Sequence, residues 1–272
     1  MAPMTSPRYV HLRLHSEYSV TDGIVRIGDA VKRAAGDGMP AMAVTDLGNL
    51  FGLVKFYTGA RGKGVKPIAG ADVWIANPDT PEDAHRLLLL ARNRIGYQQL
   101  CELLTKAYLV EGRRDRAEIR REWFSEIGSD GLIALSGAHL GDVGEALLNG
   151  NFDLATERAQ AWEAIFPGAF YLEVQRYGQP QQEAVVQQTA DLAGETGIPL
   201  VATHPIQFLN RDDFQAHEAR VCIAEGYVLG DSRRPKIYTA EQYFKTQAEM
   251  AELFDDLPEA LEAQLPKAVT EA

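Results

Sequence analysis

Cysteine, positive charge and long hydrophobic runs are all scarce in this sequence. The 272 residues include only two cysteines, Cys101 and Cys222, which excludes a disulfide framework and a cysteine-based zinc site and fits a reducing cytoplasm. The 27 lysines and arginines are outnumbered by 38 aspartates and glutamates, so the net charge is −11. That balance argues against a protein whose own surface seeks a polyanion, and we expect any nucleic acid to be reached through a partner.

No segment is apolar enough to cross a membrane. The longest apolar stretch, residues 87–91, is far short of the ~20 residues of a spanning helix, and residues 1–7 lack the hydrophobic run of a signal peptide. We therefore expect a soluble, unexported, cytoplasmic protein. Because 46% of the residues are hydrophobic and 24% are charged, the chain can bury a sizeable core, either as one large domain or as two small ones.

Short apolar runs alternate with helical patterns along most of the chain. Continuous apolar runs are typical of strands buried on both faces, and they occupy residues 9–13, 41–45, 67–75, 86–91, 131–136, 170–175 and 200–203. Apolar residues spaced three and four apart predict amphipathic helices near residues 24–34, 50–57, 100–107, 154–165, 183–194, 214–224 and 240–254. Thr239 stands where it could N-cap the last of these helices.

One helix-to-strand turn recurs three times. Gly38, Gly64 and Gly197 each end a helical pattern, and a proline then opens the next strand. Seven strands that alternate with helices favour a parallel sheet closed into a (β/α) barrel, which would leave no open edge. An open doubly wound sheet is the alternative, but residues 15–19 after the first strand contain no glycine fingerprint for a dinucleotide.

The carboxyl ends of barrel strands hold functional groups, and here they are polar. His15, Asp22, Asp72 and His85 could form a nitrogen and oxygen site for zinc, manganese or magnesium. The same residue types also cap helices and close loops, and Asp22 before Gly23 fits a cap as well as a ligand. His11 lies about 13 Å along an extended chain from His15, too far to share one ion.

Other polar or aromatic patterns have simpler interpretations. Ser136 and His139 resemble part of a nucleophilic dyad, but serine and glycine after a buried strand are ordinary turn residues. The basic run at residues 113–116, with Arg120 and Arg121, is either solvated or a partner contact. Trp123 and Phe124, with Ile127, are most simply a packing anchor of a helix.

The chain resembles the PHP (polymerase and histidinol phosphatase) domain family, in the branch found at the N-terminus of the alpha subunit of bacterial DNA polymerase III. The resemblance covers nearly the whole chain. It rests on residues 10–19 (VHLRLHSEYS), 22–23, 38–41, 45–52 (TDLGNLFG), 64–70 (GVKPIAG), 96–100, 135–137, 170–173 and 201–203. The fold that it implies is a distorted TIM-like (β/α)7 barrel of the PHP type.

The resemblance also implies a metal site that has lost ligands. Metal-active members hold a polynuclear centre for phosphoester hydrolysis, and His15, Asp22 and His85 match its ligand types, with Asp72 where glutamate is usual. Residues of other types stand at the remaining ligand positions, which are Arg13, Leu47, Ala138, Pro205 and Gln207. We expect Arg13 to pair with Asp72 or Asp22 in place of a metal, and no cofactor beyond an adventitious or residual divalent ion. His204, next to Pro205, could restore one ligand.

The function that the resemblance implies is structural. The chain would be a catalytically silent PHP domain over residues 1–272, with residues 240–272 a helical extension leading to absent polymerase domains. Its implied partners are the rest of the alpha subunit and the proofreading 3′-5′ exonuclease (epsilon) subunit, with DNA reached only through the holoenzyme. The parent chain would be the enzyme, a DNA-directed DNA polymerase. The alternative is a residual metal-dependent phosphoesterase or pyrophosphatase that uses the four retained residues.

Overall fold

The computed structural model describes residues 9–77, 80, 83–110 and 116–262. The strands are β1 (Ala41–Val44), β2 (Lys66–Ile75), β3 (His85–Ala91), β4 (Glu118–Ile119), β5 (Leu132–Leu135), β6 (Phe170–Gln175) and β7 (Leu200–Thr203). The helices are α1 (Ile27–Gly36), α2 (Leu53–Gly62), α3 (Arg94–Leu109), α4 (Trp123–Ile127), α5 (Asp142–Leu148), α6 (Phe152–Ile165), α7 (Gln182–Thr196), α8 (Phe214–Glu225), α9 (Gln247–Leu253) and α10 (Pro258–Glu262).

One sheet runs in the order β1-β2-β3-β5-β6-β7, and β4 pairs with the end of β2. The prediction of an all-parallel sheet is wrong at β3, which is antiparallel to both β2 and β5. The physical reason is the short connection: only nine residues, 76–84, separate β2 from β3, and a parallel crossover needs a dozen or more residues. The remaining pairs along this order are parallel.

The first predicted strand closes the sheet without forming a regular strand. His11 and Leu14 accept hydrogen bonds from the amides of Ala43 (2.8 Å) and Thr45 (2.9 Å) on one side. On the other side, His15 donates to the carbonyl of Ile206 (2.9 Å), just beyond β7. Residues 9–15 therefore lie between the two end strands, and the α/β fold is a distorted TIM-like barrel, as expected.

The helix-to-strand turns lie where the sequence predicts them, but the last predicted helix begins later than predicted. Gly38, Gly64 and Gly197 have φ of 70°, 75° and 72°, the left-handed geometry that glycine tolerates after a helix. The prediction of a helix over 240–254 is wrong at its start. Helix α9 begins after Thr246, which forms a capping box with Glu249, because residues 242–244 instead pair with residues 207–208.

Two hydrophobic clusters hold the barrel together. The larger packs the sheet against α3, α5, α6 and α7, and the smaller packs α1 and α2 around β1. Trp123 and Phe124 are buried in the larger cluster, which confirms their prediction as a packing anchor. Of the expected helical extension, residues 263–272 lie outside the described part of the chain. Among the described residues, no helix has the length and hydropathy needed to span a membrane.

Candidate functional site

Arg13 lies at the centre of the buried polar cluster inside the barrel. Its guanidinium forms a bidentate pair with the Glu173 carboxylate, Nε to Oε1 and Nη2 to Oε2, both at 2.9 Å. A third nitrogen, Nη1, donates to Asp72. All three side chains are buried, so Arg13 joins the closing segment to β2 and β6 through desolvated, charge-assisted hydrogen bonds.

Three basic side chains contact the carboxylate of Asp72, which lies on β2. Arg86 on β3 donates from Nε to Oδ1 (3.1 Å) and from Nη2 to Oδ2, the oxygen that Arg13 also contacts. His15 Nε2 lies 3.1 Å from the same Oδ2. Burial alone would raise the pKa of this carboxyl, but Arg13 and Arg86 outweigh it and hold the Asp72 pKa far below its usual value.

His15 bridges two carboxylates. Its Nδ1 lies 2.9 Å from Oδ2 of Asp22, and Ser19 donates to the other Asp22 oxygen at 2.6 Å. Burial opposes a charged imidazole, yet Asp22 and Asp72 together raise the pKa of His15 to about 9. Burial likewise opposes an ionised Asp22, and His15 overcomes it and lowers the Asp22 pKa to about 2. At neutral pH His15 is therefore an imidazolium cation.

The cluster balances its own charge. Arg13, Arg86 and protonated His15 supply three positive charges, and Asp22, Asp72 and Glu173 supply three negative ones. A buried ion network is tolerated when each charge is paired and hydrogen-bonded. The backbone amide of Gly137 and the side-chain amide of Gln175 also donate hydrogen bonds to the Glu173 carboxylate, each at 3.0 Å.

Sequence reasoning missed Arg86 and Glu173 as members of this site. Arg86 also lies 4.6 Å from the Trp74 ring centroid, and Arg116 lies 5.0 Å from the same ring, so cation–π contacts orient the arginine toward Asp72. The sequence did contain a signal for both residues, because Arg86 and Glu173 are charged residues within the otherwise largely apolar strands β3 and β6. Such a residue is seldom buried without a partner of opposite charge.

The four predicted site residues do not all meet. His15, Asp22 and Asp72 join in the cluster, whereas His85 contacts other residues. Its Nδ1 lies 3.8 Å from Glu145, and its Nε2 lies 3.2 Å from the Asn77 amide nitrogen. On β3, His85 pairs with Ile75 while Asp72 pairs with Leu88, so His85 lies three positions along the strand from the residue opposite Asp72.

Besides Arg13, three of the positions where the family resemblance implies a lost metal ligand lie next to the cluster. Leu47 pairs with Asp72 in an isolated bridge, the Gln207 amide lies 3.3 Å from His15 Nδ1, and Ala138 follows the glycine that binds Glu173. Pro205 is buried, and its carbonyl accepts from Gln242 at 3.4 Å. These side chains offer no imidazole or carboxylate to an ion.

Two further buried histidines, His11 and His204, contact the chain near residue 244 and not the cluster. His204 Nε2 bonds to the carbonyl of Tyr243 (2.9 Å), and His11 Nε2 bonds to that of Lys245 (2.7 Å). His11 packs against Phe244 and Tyr9. Because both histidines hold the chain at residues 243–245, neither supplies the ligand that the sequence lacks next to Asp72.

The donor set does not fit a divalent metal. Both oxygens of Asp72 bind arginines, which cannot deprotonate to leave room for a cation, and both ring nitrogens of His15 face carboxylates. Within the described residues, no three His, Cys, Asp or Glu side chains are grouped so as to hold a metal ion. The charged side chains of the cluster are paired with one another and do not form a set of ligands for a divalent ion.

The remaining sequence candidates have structural contacts. Ser136 Oγ accepts a hydrogen bond from the Glu173 amide (2.9 Å), and His139 Nε2 lies within hydrogen-bond distance (2.9 Å) of the Tyr177 hydroxyl. Burial lowers the pKa of His139 to about 4. In the basic segment, Arg121 pairs with Asp142 at 2.6 Å and lies 4.1 Å from the Trp162 ring centroid, and residues 113–115 lie outside the described residues.

The cluster predicts a loss of stability at alkaline pH. The pKa of His15 is about 9 in the folded chain against an ordinary 6.5, so the folded state binds more protons than the unfolded state between these values. The stabilisation is complete below pH 6.5 and disappears as the pH rises to 9, with a limiting slope of about 1.4 kcal/mol per pH unit. Urea unfolding measured across this range checks the slope.

His15→Gln should remove this slope. His85→Gln is the matched control, because His85 contacts neither Asp22 nor Asp72, and it should leave the slope unchanged. An equal slope in the wild-type and His15→Gln chains would show that another group titrates.

Comparisons with known proteins agree with this fold. The PHP domain family model matches residues 11–177. The chain is 53% identical over 261 residues to DNA polymerase III subunit alpha of Neisseria meningitidis serogroup A, covering 95% of this chain and 23% of that protein. It is 45% identical to the same subunit of Escherichia coli K12, covering 95% and 22%.

A solved structure of an amidohydrolase from Chromobacterium violaceum, with bound sulfate and no metal, aligns at a TM-score of 0.47 and 15% identity, over 78% of this chain and 96% of that one. The chain spans less than a quarter of the length of the two DNA polymerase III alpha subunits that it matches. The family model matches more than half of the chain, and the chain belongs to the PHP domain family.

Proposed function

We propose that this chain is the PHP region of a replicative DNA polymerase III alpha subunit and that it acts there as a metal-free structural scaffold. The observation that carries the proposal is the position of Arg13, whose guanidinium binds Asp72 and Glu173 at the centre of the barrel. Arginine and two carboxylates 59 and 160 residues away along the chain form one buried unit. Such a unit fixes the barrel and offers no reactive group to a substrate.

We also propose that the full-length protein to which this region belongs is a DNA-directed DNA polymerase. The relatives are named as polymerase subunits, and this chain matches 22–23% of their length. A nucleotidyltransferase activity would be the work of the complete subunit, to which this region would contribute rigidity and attachment. The retained charge balance of the cluster supports that role, because a scaffold needs a defined, self-neutralised interior.

Elemental analysis tests the absence of a functional metal. The 272-residue chain is dialysed against zinc or manganese, exchanged into metal-free buffer, and assayed on a generic phosphodiester and on pyrophosphate. We expect less than stoichiometric metal and no turnover, because both Asp72 oxygens already bind arginine. Two tightly held ions together with chelator-sensitive hydrolysis would contradict the scaffold proposal and favour the alternative, a residual metal-dependent phosphoesterase or pyrophosphatase.

We further propose that the chain docks the proofreading 3′-5′ exonuclease subunit. The family resemblance supports this partner, and a net charge of −11 suits contact with protein better than with DNA. Size-exclusion chromatography of the chain mixed with the exonuclease from the same genome should give a co-eluting complex. Separate elution at concentrations well above the chromatographic detection limit would rule out this partner while leaving the scaffold proposal intact.

A further inference from the structure

Residues 227–238 connect the end of α8 to Thr239 without forming a helix or a strand, and we call them the strap. Within the described residues, the bonds between backbone groups of the strap are local or reach Cys222, in the last turn of α8. Val228 and Ile237 are exposed. The strap is therefore held to the barrel by a few side-chain contacts, not by the sheet or by a helix.

The first of these contacts anchors the strap to α8. Arg234 forms a bidentate pair with Glu218, Nη1 to Oε1 at 2.6 Å and Nη2 to Oε2 at 2.7 Å, and its side chain is 6% exposed. Hydrogen bonds from Arg234 lower the pKa of the Glu218 carboxyl. The neighbouring Arg233 pairs with Asp231 at 2.7 Å and is 83% exposed. That second pair lies inside the strap, so it does not join the strap to another element.

The second anchor joins the far end of the strap to the loop that follows β6. The hydroxyl of Thr239 donates to the carbonyl of Tyr177, and the side-chain amide of Gln179 donates to the carbonyl of Ile237 at 2.5 Å. Strand β6 also carries Glu173, the bidentate partner of Arg13. The strap thus ends on a strand that contributes to the cluster around Arg13.

Tyr238 brings the strap against that cluster. Its ring packs edge-on against His217, with the ring centroids 4.7 Å apart, and His217 Nε2 lies 2.8 Å from the carbonyl of Asp22. Burial raises the pKa of the Tyr238 hydroxyl, the charge of Asp22 raises it further, and that of Arg86 lowers it. The hydroxyl therefore lies within electrostatic reach of two members of the cluster.

The cluster is shielded from water at the end of the barrel where sites are usually open. The carboxyl ends of barrel strands normally face an accessible site, yet Arg13, Asp22 and Arg86 are all buried. Exclusion of water strengthens ion pairs, because the effective dielectric constant around them falls. His217 is completely buried beneath Tyr238, as expected if this end of the strap is a cover.

We propose that the strap is a cover that opens: it closes the barrel over the cluster, and release of its two anchors admits water to Asp22 and Arg86 without unfolding the barrel. Opening breaks no helix or strand, because the backbone bonds of the strap are local. Segments of this kind open at a lower free energy than the core does. The proposal does not depend on a polymerase context.

Amide hydrogen exchange, followed by mass spectrometry at neutral pH, tests the proposal on the 272-residue chain. Exchange is compared in the strap, in residues 19–24 and in α3, which packs in the larger hydrophobic cluster. The amides of Asp22 and Gly23 donate to the carbonyl of Ser19 at 3.2 and 2.9 Å, so their exchange reports opening next to the cluster. Exchange in α3 reports unfolding of the whole barrel.

Arg234→Met and Thr239→Val each remove one anchor, and the second substitution keeps the shape of the side chain. Each should raise exchange in the strap by at least about tenfold, and exchange in residues 19–24 should rise with it while α3 stays unchanged. Glu218→Gln weakens the first anchor from the α8 side and should act in the same direction. Arg233→Met is the matched control and should change none of the three segments.

Three results would overturn the proposal. Faster exchange in the strap alone would show that the strap opens without covering the cluster. Equal exchange in the wild-type chain and in all the anchor variants would show that these contacts do not hold it closed. A rise that extends to α3 would show that the strap leaves the cluster only when the whole barrel unfolds.

Discussion

Replacing Arg13 with methionine is expected to lower the free energy of unfolding by about 3–5 kcal/mol. Methionine keeps much of the side-chain volume but removes the cation that binds Glu173 and contacts Asp72. Glu173 then has no other arginine among its described contacts, so a buried carboxylate loses its only ion-pair partner there. The cost is the desolvation of that charge, which the hydrogen bonds from Gly137, Gln175 and Thr203 offset only in part. Urea unfolding at neutral pH, followed by circular dichroism, measures the change.

Arg233→Met is the matched control for this experiment. Arg233 also pairs with an aspartate, Asp231, at 2.7 Å, but its side chain is 83% exposed. The same substitution should therefore lower the free energy of unfolding far less than Arg13→Met does, because an exposed ion pair contributes little to stability. Comparable losses in the two variants would show that Arg13 contributes no more than a surface ion pair, and the cluster would not be the scaffold element that we propose.

The positions of most strands could be predicted from the sequence, but their directions could not. Continuous apolar runs marked β6 and β7 at their observed bounds and β2 to within one residue, because burial on both faces requires such runs. Burial carries no information about direction. The antiparallel placement of β3 depends on the short connection at residues 76–84, and the two-residue β4 is too short for a periodicity to show.

The site was predictable only in part, for a physical reason. Matching ligand positions led to Arg13, Asp22 and Asp72, which do meet in the cluster. Arg86 stands where no ligand was expected, so a search for replaced ligands could not find it. Its role depends on the pairing of β2 with β3, which brings it to both oxygens of Asp72. His85 failed to join for the same reason, since the register of that pair carries it away from Asp72.

Arg86 also determines what it would take to restore a metal site. Arg13→His with Leu47→His places two imidazoles next to His15 and Asp72, since Leu47 pairs with Asp72. We expect little gain in zinc affinity from this double variant, because Arg86 still binds both Asp72 oxygens and a guanidinium cannot deprotonate. Adding Arg86→Leu frees the carboxylate and should tighten zinc binding by about 10–100-fold relative to the double variant.

Competition with a chromophoric zinc chelator measures these affinities, and near-ultraviolet circular dichroism selects variants that keep their packing. Arg233→Leu added to the double variant is the control for the loss of a positive charge, and it should leave the affinity unchanged because its pair lies at the surface. If the double variant alone binds zinc as tightly as the triple variant, Arg86 is not the barrier that the geometry indicates. If the triple variant binds zinc no more tightly than the double variant, the remaining side chains do not form a metal site even when Arg13 and Arg86 are both replaced. The cluster would then not be the remnant of a metal site.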